Sequence, residues 1–260
     1  MINFMVLHKF KNLSGVKGVI HGIVPRTHNG YSMNMAFEFG NEAMANRERL
    51  CEALGLKMLI SARQTHSDHI MTVREGDAIP NIYGVDDEMA DTDAFITNQP
   101  GIGLMVKTAD CQPILMVGRG SAGPVVAMVH SGWRGSLKNI AGKTVQKMKA
   151  DFGVDPASLI VGVGPSLGPC CAEFSDPENE LTAEALTYRI KDSNRFDFWA
   201  MTRDQLSCEG VLADAMEFSN ICTVCEKDKW FSFRADHPDV GRFGSVIGLV
   251  AGGRIMDVFF

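Results

Sequence analysis

No apolar run in this sequence approaches the roughly 18–20 residues that a helix needs to cross a bilayer. No run of Lys or Arg is longer than two, and the net charge of −6 has the wrong sign for phosphate backbones or anionic lipid. Neither nucleic acid nor membrane is expected as a partner. The apolar start, Met1 to Leu7, has no basic stretch before it and no small-residue cleavage site after it. The expectation is a chain without a secretory leader, resident in the cytoplasm. Repeats, low-complexity segments and Pro/Ser-rich linkers are also missing, which favours one domain over residues 1–260. Histidine is sparse, at seven, and no His-x-His pair occurs. The cysteines, at 51, 111, 170, 171, 208, 222 and 225, are odd in number and scattered. That pattern excludes a disulfide framework and predicts reduced thiols.

What is present describes a globular protein with a substantial core: 45% hydrophobic residues against 22% charged. Periodicity and turn residues predict strands over Gly18–Val24, Lys57–Ala62, His69–Val73, Ala94–Thr97, Gly103–Lys107, Ile114–Val117, Val125–Val129 and Leu159–Val163. Three more are predicted at Ile221–Val224, Ser232–Arg234 and Ser245–Val250. Helices are predicted over Glu42–Leu54 (capped by Asn41), Leu137–Phe152, Asp176 to Ile190 (with Pro177 at N1) and Arg203–Met216. An acidic stretch, Asp86 to Asp93, is irregular. Strands and helices interleave, yet hairpin-like strand pairs also occur, so the fold class expected is α/β or α+β with mixed sheets.

Reactive residues stand where apolar strands end, in Gln64-Thr65-His66, Thr108-Ala109-Asp110-Cys111 and Val129-His130-Ser131-Gly132-Trp133-Arg134-Gly135. Strand ends bring side chains to one rim of a sheet, where loops converge on a pocket. Two imidazoles and a thiolate suit a borderline-soft metal, and three protein ligands leave zinc's fourth position open for catalysis. On the residues alone, with the three so far apart in sequence, a buried Cys with two hydrogen-bonded histidines is the favoured reading. Other candidates are weaker. Gly162-x-Gly164-x-x-x-Gly168 misses the dinucleotide spacing by one residue, and Pro165 and Pro169 remove two amide donors. It reads as a structural turn or as a phosphate loop using its remaining amides. Cys222-x-x-Cys225 resembles half a zinc site, but no second Cys/His pair is evident to complete it, so both read as core thiols. His69 is expected to begin a strand and point away from His66. Arg26, Arg134, Arg234 and Arg242 are the best oxyanion binders, since a planar fork of donors fits phosphate or carboxylate.

The same segments resemble the signature of the YfiH-like, laccase-domain family, described as purine nucleoside phosphorylases and earlier as polyphenol oxidases. The resemblance runs from His21-Gly22 nearly to the C-terminus and takes in Asp93-Ala94-Phe95-Ile96-Thr97, Gly164 to Glu173, Cys222-Thr223, Phe231-Ser232-Phe233-Arg234 and Gly241-Arg242. It implies a layered α/β sandwich with mixed sheets, in which His66, Cys111 and His130 bind one zinc ion at the catalytic centre. The implied substrates are purine nucleosides and phosphate, with adenosine deamination as a further activity. Arg26, Arg134, Arg234, Arg242 and Glu173 are the expected substrate-binding residues, and Asp110 or Glu173 the expected proton carrier or anchor behind the ligands. The sequence departs from the family pattern at Ser131 (usually Ala), Pro25 (usually Thr), Asn29 (usually Gly) and Ala172 (usually Tyr).

Two alternatives keep the same residues. Two His and a Cys also make a trigonal copper set, and fifteen Met residues offer axial ligands, as a Cu2+ polyphenol oxidase would need. A full multicopper enzyme needs a further histidine-rich cluster that seven His do not supply. A metal-free hydrolase or deamidase would use Cys111 as nucleophile and His130 as base.

Overall fold

The computed structural model describes residues 6–74, 91–238 and 240–250. Most of the acidic stretch at 86–93 lies outside them. The strands are β1 (Val19–Ile23), β2 (Thr27–His28), β3 (Tyr31–Ser32), β4 (Met58–Ile60), β5 (Ile70–Val73), β6 (Ala94–Thr97), β7 (Ile102–Thr108), β8 (Gln112–Gly120), β9 (Gly123–Ser131), β10 (Ile160–Val163), β11 (Met216–Phe218) and β12 (Phe243–Leu249). A four-stranded sheet has the order β1-β12-β7-β4, a six-stranded sheet the order β11-β10-β8-β9-β6-β5. Both are mixed: β4 runs parallel to β7, and β5 to β6, whereas β1, β7 and β8 have antiparallel partners.

Alternation with period two explains the layering. Leu115, Val117, Val126 and Met128 of the larger sheet face Leu104, Val106, Phe243 and Ile247 of the smaller one in a single buried cluster. The opposite-parity residues Ile114, Met116, Val125, Ala127 and Val129 pack against Ile140, Ala141, Val145 and Met148 of the Ile140–Phe152 helix. On the far side of the smaller sheet, Met105 and Val246 meet Leu50 and Cys51 of the Gly40–Ala53 helix. The layers thus run helix, sheet, sheet, helix, and the expected mixed-sheet sandwich is what forms.

Several element boundaries differ from expectation, each for a local reason. The expected Leu137–Phe152 helix is two, Trp133–Leu137 and Ile140–Phe152. Asn139 between them is left-handed (φ 57°) and caps the second through its side chain, which accepts from the Gly142 amide. The segment after Asp176 holds two single turns, Pro177–Glu180 and Ala183–Leu186, because Thr182 starts a new helix as its N-cap. The helix expected over Arg203–Met216 spans Phe198–Cys208, capped by Asp197. Ser232–Arg234 is not a strand: Ser232 caps the helical turn Phe233–Asp236, its hydroxyl accepting from Ala235. Ile221–Val224 holds only an isolated bridge from Cys222 to Ser166. Asn41 lies inside its helix and makes no cap hydrogen bond. Asn29 and Gly30, both at positive φ, close the β2–β3 hairpin as such a two-residue turn requires.

Candidate metal centre

The chain crosses from the smaller sheet to the larger one between β7 and β8. Cys111 sits in that crossing, one residue after Asp110, whose left-handed backbone (φ 86°) makes the sharp turn. His130 lies within β9, paired with Pro113, and is buried. His66 comes from the loop that leaves β4 and is itself left-handed (φ 60°). That loop is held against β7 by Gln64. Its side-chain amide donates to the Lys107 carbonyl and accepts from the Lys107 amide, both at 2.8 Å, as a peptide group in a neighbouring strand would.

The three potential ligand atoms lie within 4.8 Å of one another, and Cys111 Sγ stands 3.6 Å from His66 Nε2. Bond lengths of about 2.3 Å to sulfur and about 2.0 Å to nitrogen at a tetrahedral angle put those atoms about 3.5 Å apart, so the donor set fits zinc. The imidazole rings are 4.9 Å apart at 74°. A Cβ added to Gly132 would lie 2.4 Å from His66 Cδ2 and 3.0 Å from Cys111 Sγ, so only glycine allows this approach.

The anchor behind the three candidate ligands is Asp93, not Asp110 or Glu173. Asp93 Oδ1 is 2.6 Å from His130 Nδ1, which fixes that ring and leaves Nε2 for a metal. The same carboxylate accepts from the amides of His66 and Ser67 and from the Ser67 hydroxyl. One buried carboxylate therefore orients the ring of His130 and the backbone of His66. A signal for it existed: a ligating histidine needs a partner on its second nitrogen, and Asp93 opens an apolar strand beside β9. Asp110 is otherwise committed, its two oxygens accepting from Thr223 Oγ1 and the Arg234 amide.

These groups perturb one another strongly. Burial alone would raise the Cys111 thiol, but His130 and His66 beside it bring it down to about 6. Burial would lower His130, yet the Cys111 thiolate and Asp93 lift it to about 9. Asp93 falls to about 2 despite its burial, because His130 and Ser67 hydrogen-bond its charged form.

A cavity of about 730 Å³ opens over the centre, lined by His66, Cys111 and His130 and by Arg134, Arg234 and Arg242. Arg63, Lys107, Trp133 and Phe233 are also among its walls, and the Arg134 guanidinium lies 4.0 Å over the Trp133 ring. Glu173 lines an adjoining cleft shared with Asp110 and Cys111, and its carbonyl accepts from Arg234 Nη1. Arg26 is placed elsewhere, paired with Asp236 over the Phe231 ring and outside the residues lining the cavity. His69 turns away as expected, its Nδ1 meeting the Asp91 carbonyl. The phosphate-loop reading fails, because the amides of Gly164, Ser166, Leu167 and Gly168 are committed to Pro113, Ile221, Asp110 and Cys222.

The core-thiol reading of the CxxC pair is also corrected. Cys222 is buried, but Cys225 is exposed. Cys170 and Cys171 stand beside them, with all four sulfurs within 4.8 Å of one another.

The family model described as multi-copper polyphenol oxidoreductase laccase matches residues 15–250. A purine nucleoside phosphorylase of Clostridium acetobutylicum is 32% identical over 84% of this chain and 87% of its own length. An adenosine deaminase from an unknown prokaryotic organism is 30% identical over 79% of this chain and 83% of its own. The crystal structure of YlmD from Geobacillus stearothermophilus superposes with a TM-score of 0.79 at 28% identity, covering 93% of this chain and 94% of that one.

Proposed function

Because this chain belongs to the multi-copper polyphenol oxidoreductase laccase family, we propose that it is a zinc-dependent purine nucleoside phosphorylase. Its substrates on this reading are adenosine, inosine and methylthioadenosine, with adenosine deamination as a second activity and the cytoplasm as its place of work. The carrying observation is the His66–Cys111–His130 triangle set in a cavity whose walls hold four arginines (Arg63, Arg134, Arg234 and Arg242) and the rings of Trp133 and Phe233. The names of the relatives supply the substrate class.

In phosphorolysis a phosphate oxygen forms a bond to the ribose anomeric carbon while the glycosidic C–N bond breaks. The electron pair leaves with the purine, which then takes a proton. Arg134, Arg234 and Arg242 offer the donors that hold a phosphate dianion, and Trp133 and Phe233 offer faces for a purine. Glu173 is the proton carrier this arrangement leaves, since both Asp110 oxygens are occupied. A zinc ion held by His66, Cys111 and His130 would supply Lewis acidity toward an oxygen ligand.

Incubation with adenosine or inosine plus phosphate is expected to release free base and ribose 1-phosphate. Arg134→Ala is expected to cut that rate about ten- to a hundredfold, the scale of one charged hydrogen bond, with metal content unchanged. Free ribose formed equally fast without phosphate would make the enzyme a nucleosidase, and ammonia without base release would leave the deaminase alone.

One observation supports a second reading. Cys111, His130 and Asp93 also stand in the order thiol, imidazole and carboxylate of a nucleophile triad. Activity that survives complete metal removal but not Cys111 alkylation would favour a hydrolase or deamidase. The copper-oxidase reading has less support. Beyond this centre, among the described residues, His21 accepts from the Phe10 amide and His69 meets Asp91, and no further histidine cluster forms.

A further inference from the structure

The geometry points to a second metal site, formed by Cys170, Cys171, Cys222 and Cys225 and suited to a thiophilic divalent cation of the zinc class. Cys225 Sγ is 3.5 Å from Cys170 Sγ and 3.7 Å from Cys171 Sγ, and all four sulfurs lie within 4.8 Å of one another. Four sulfurs bound tetrahedrally at about 2.3 Å stand about 3.8 Å apart, so only small side-chain adjustments separate this cluster from a closed coordination shell. A disulfide would single out one pair at about 2.0 Å. Here Cys225 is shared between two neighbours instead.

The cluster is assembled by the backbone before any ion arrives. Cys170 and Cys171 sit in the turn that ends the Gly164–Pro169 loop, and Cys222 to Cys225 spans the first turn of the loop that follows β11. A short parallel bridge joins the two segments. The Ser166 amide donates to the Ile221 carbonyl at 3.1 Å, and the Thr223 amide donates to the Ser166 carbonyl at 3.0 Å. Within this frame the Gly168 amide donates to Cys222 Sγ at 3.4 Å. An amide aimed at a sulfur stabilises the thiolate, the form that ligates metal. Cys170 and Cys225 are exposed, so an ion can enter from solvent.

Four protein ligands leave no open position, so the ion is structural. It would fasten the loop leading into Glu173 to the loop whose Thr223 hydroxyl donates to Asp110, the neighbour of Cys111. Arg234 closes the same circuit, its backbone amide on Asp110 and its guanidinium on the Glu173 carbonyl. The ion therefore fixes one wall of the substrate cavity without reaching substrate. The site stands whether or not the enzyme acts on nucleosides.

Native mass spectrometry of the full-length protein as purified tests this directly. Two metal ions per chain are expected, and Cys170→Ser and Cys225→Ser should each lose one ion while keeping the other. Cys225→His, which restores a ligand, should recover the second ion. Cobalt loading gives an independent readout in the unmutated chain. Most of the thiolate-to-cobalt absorption should survive Cys111→Ser and disappear in Cys225→Ser. A single ion per chain that is unaffected by Cys225→Ser would overturn the proposal. So would an intact mass lighter by two hydrogens, with Cys225 resistant to alkylation until reduced.

Discussion

The two sulfur-containing clusters of this protein are built in opposite ways. In the first, an imidazole on a central strand, a thiol at a sheet-to-sheet crossing and an imidazole on a braced loop meet around one buried carboxylate. With no cation, that centre carries its own balance of charge: Asp93 and Cys111 are pulled toward the anion, His130 toward the cation. In the second, four thiols come from two surface loops, and none has a carboxylate or imidazole beside it among its described contacts. Burial and the neighbouring sulfurs push Cys170 up, and Cys171 rises to about 11. The backbone positions both sets of side chains, but at the second only Cys222, which accepts from the Gly168 amide, is lowered without an ion. On the proposed function and the proposed second site, the difference matches the division between a catalytic centre that must stay open and a structural one that closes on its metal.

The largest expected effect separates the two centres. His130→Ala or Cys111→Ala should abolish turnover and remove the ion of the first centre, while the four-cysteine cluster stays loaded. Elemental analysis checks this, and loss of both ions from His130→Ala would make the clusters one cooperative unit. Gly132→Ala comes next. The added methyl overlaps His66 Cδ2 and crowds Cys111 Sγ, so the loop must move at a cost of about 1–3 kcal/mol. A chelator competition should show weakened binding at the first centre only. Asp93→Asn should lower metal affinity there by about ten- to a hundredfold, the usual scale for the partner of a ligating histidine. Unchanged affinity would mean that the backbone alone positions His66 and His130.

The smallest effect is a proton count. His130 is raised, so its protonated form stabilises the metal-free fold fully below its ordinary 6.5 and ceases to do so as pH rises through about 9. Cys111 is lowered, so its thiolate contribution is complete above its ordinary 9.0 and is lost as pH falls through about 6. Between about 6 and about 9 the metal-free centre holds a thiolate beside a protonated His130. Metal must displace that proton. Calorimetry in buffers of different ionisation enthalpy should therefore find about one proton released from this pair at pH 7.5 and a second as pH drops below about 6. A constant release across that range would break the assignment.

The residues of the first centre were legible as reactive side chains following or closing apolar runs, although the structure puts His66 on a loop and Cys111 in a crossing between sheets, and the resemblance tied the three together. The core strands were legible for the same reason: their alternation is strong, and tertiary contacts only extend it, as β8 and β9 lengthen past Ile114–Val117 and Val125–Val129. Asp93 was visible as a residue but not as an anchor, since its partners at 65–67 and 130 are joined by folding alone. The four-cysteine cluster was hidden for a similar reason. Its halves are separated by the Phe198–Cys208 helix and β11, and only the Ser166–Cys222 bridge brings them together. Caps decided the remaining misses. Ser232 turns an expected strand into a helical turn, and Asn139 splits an expected helix.

Gln64 imposes a restriction of another kind. Its side chain stands in for a missing peptide unit, giving and receiving one hydrogen bond with the same residue of β7. Glutamate when ionised can receive but not give, leucine of similar length can do neither, and asparagine falls one methylene short. Among the common amino acids, glutamine alone both reaches and pairs. Position 64 should thus tolerate almost no exchange although it holds no metal, and a change there would loosen His66 by unzipping a rung of sheet that the main chain never made.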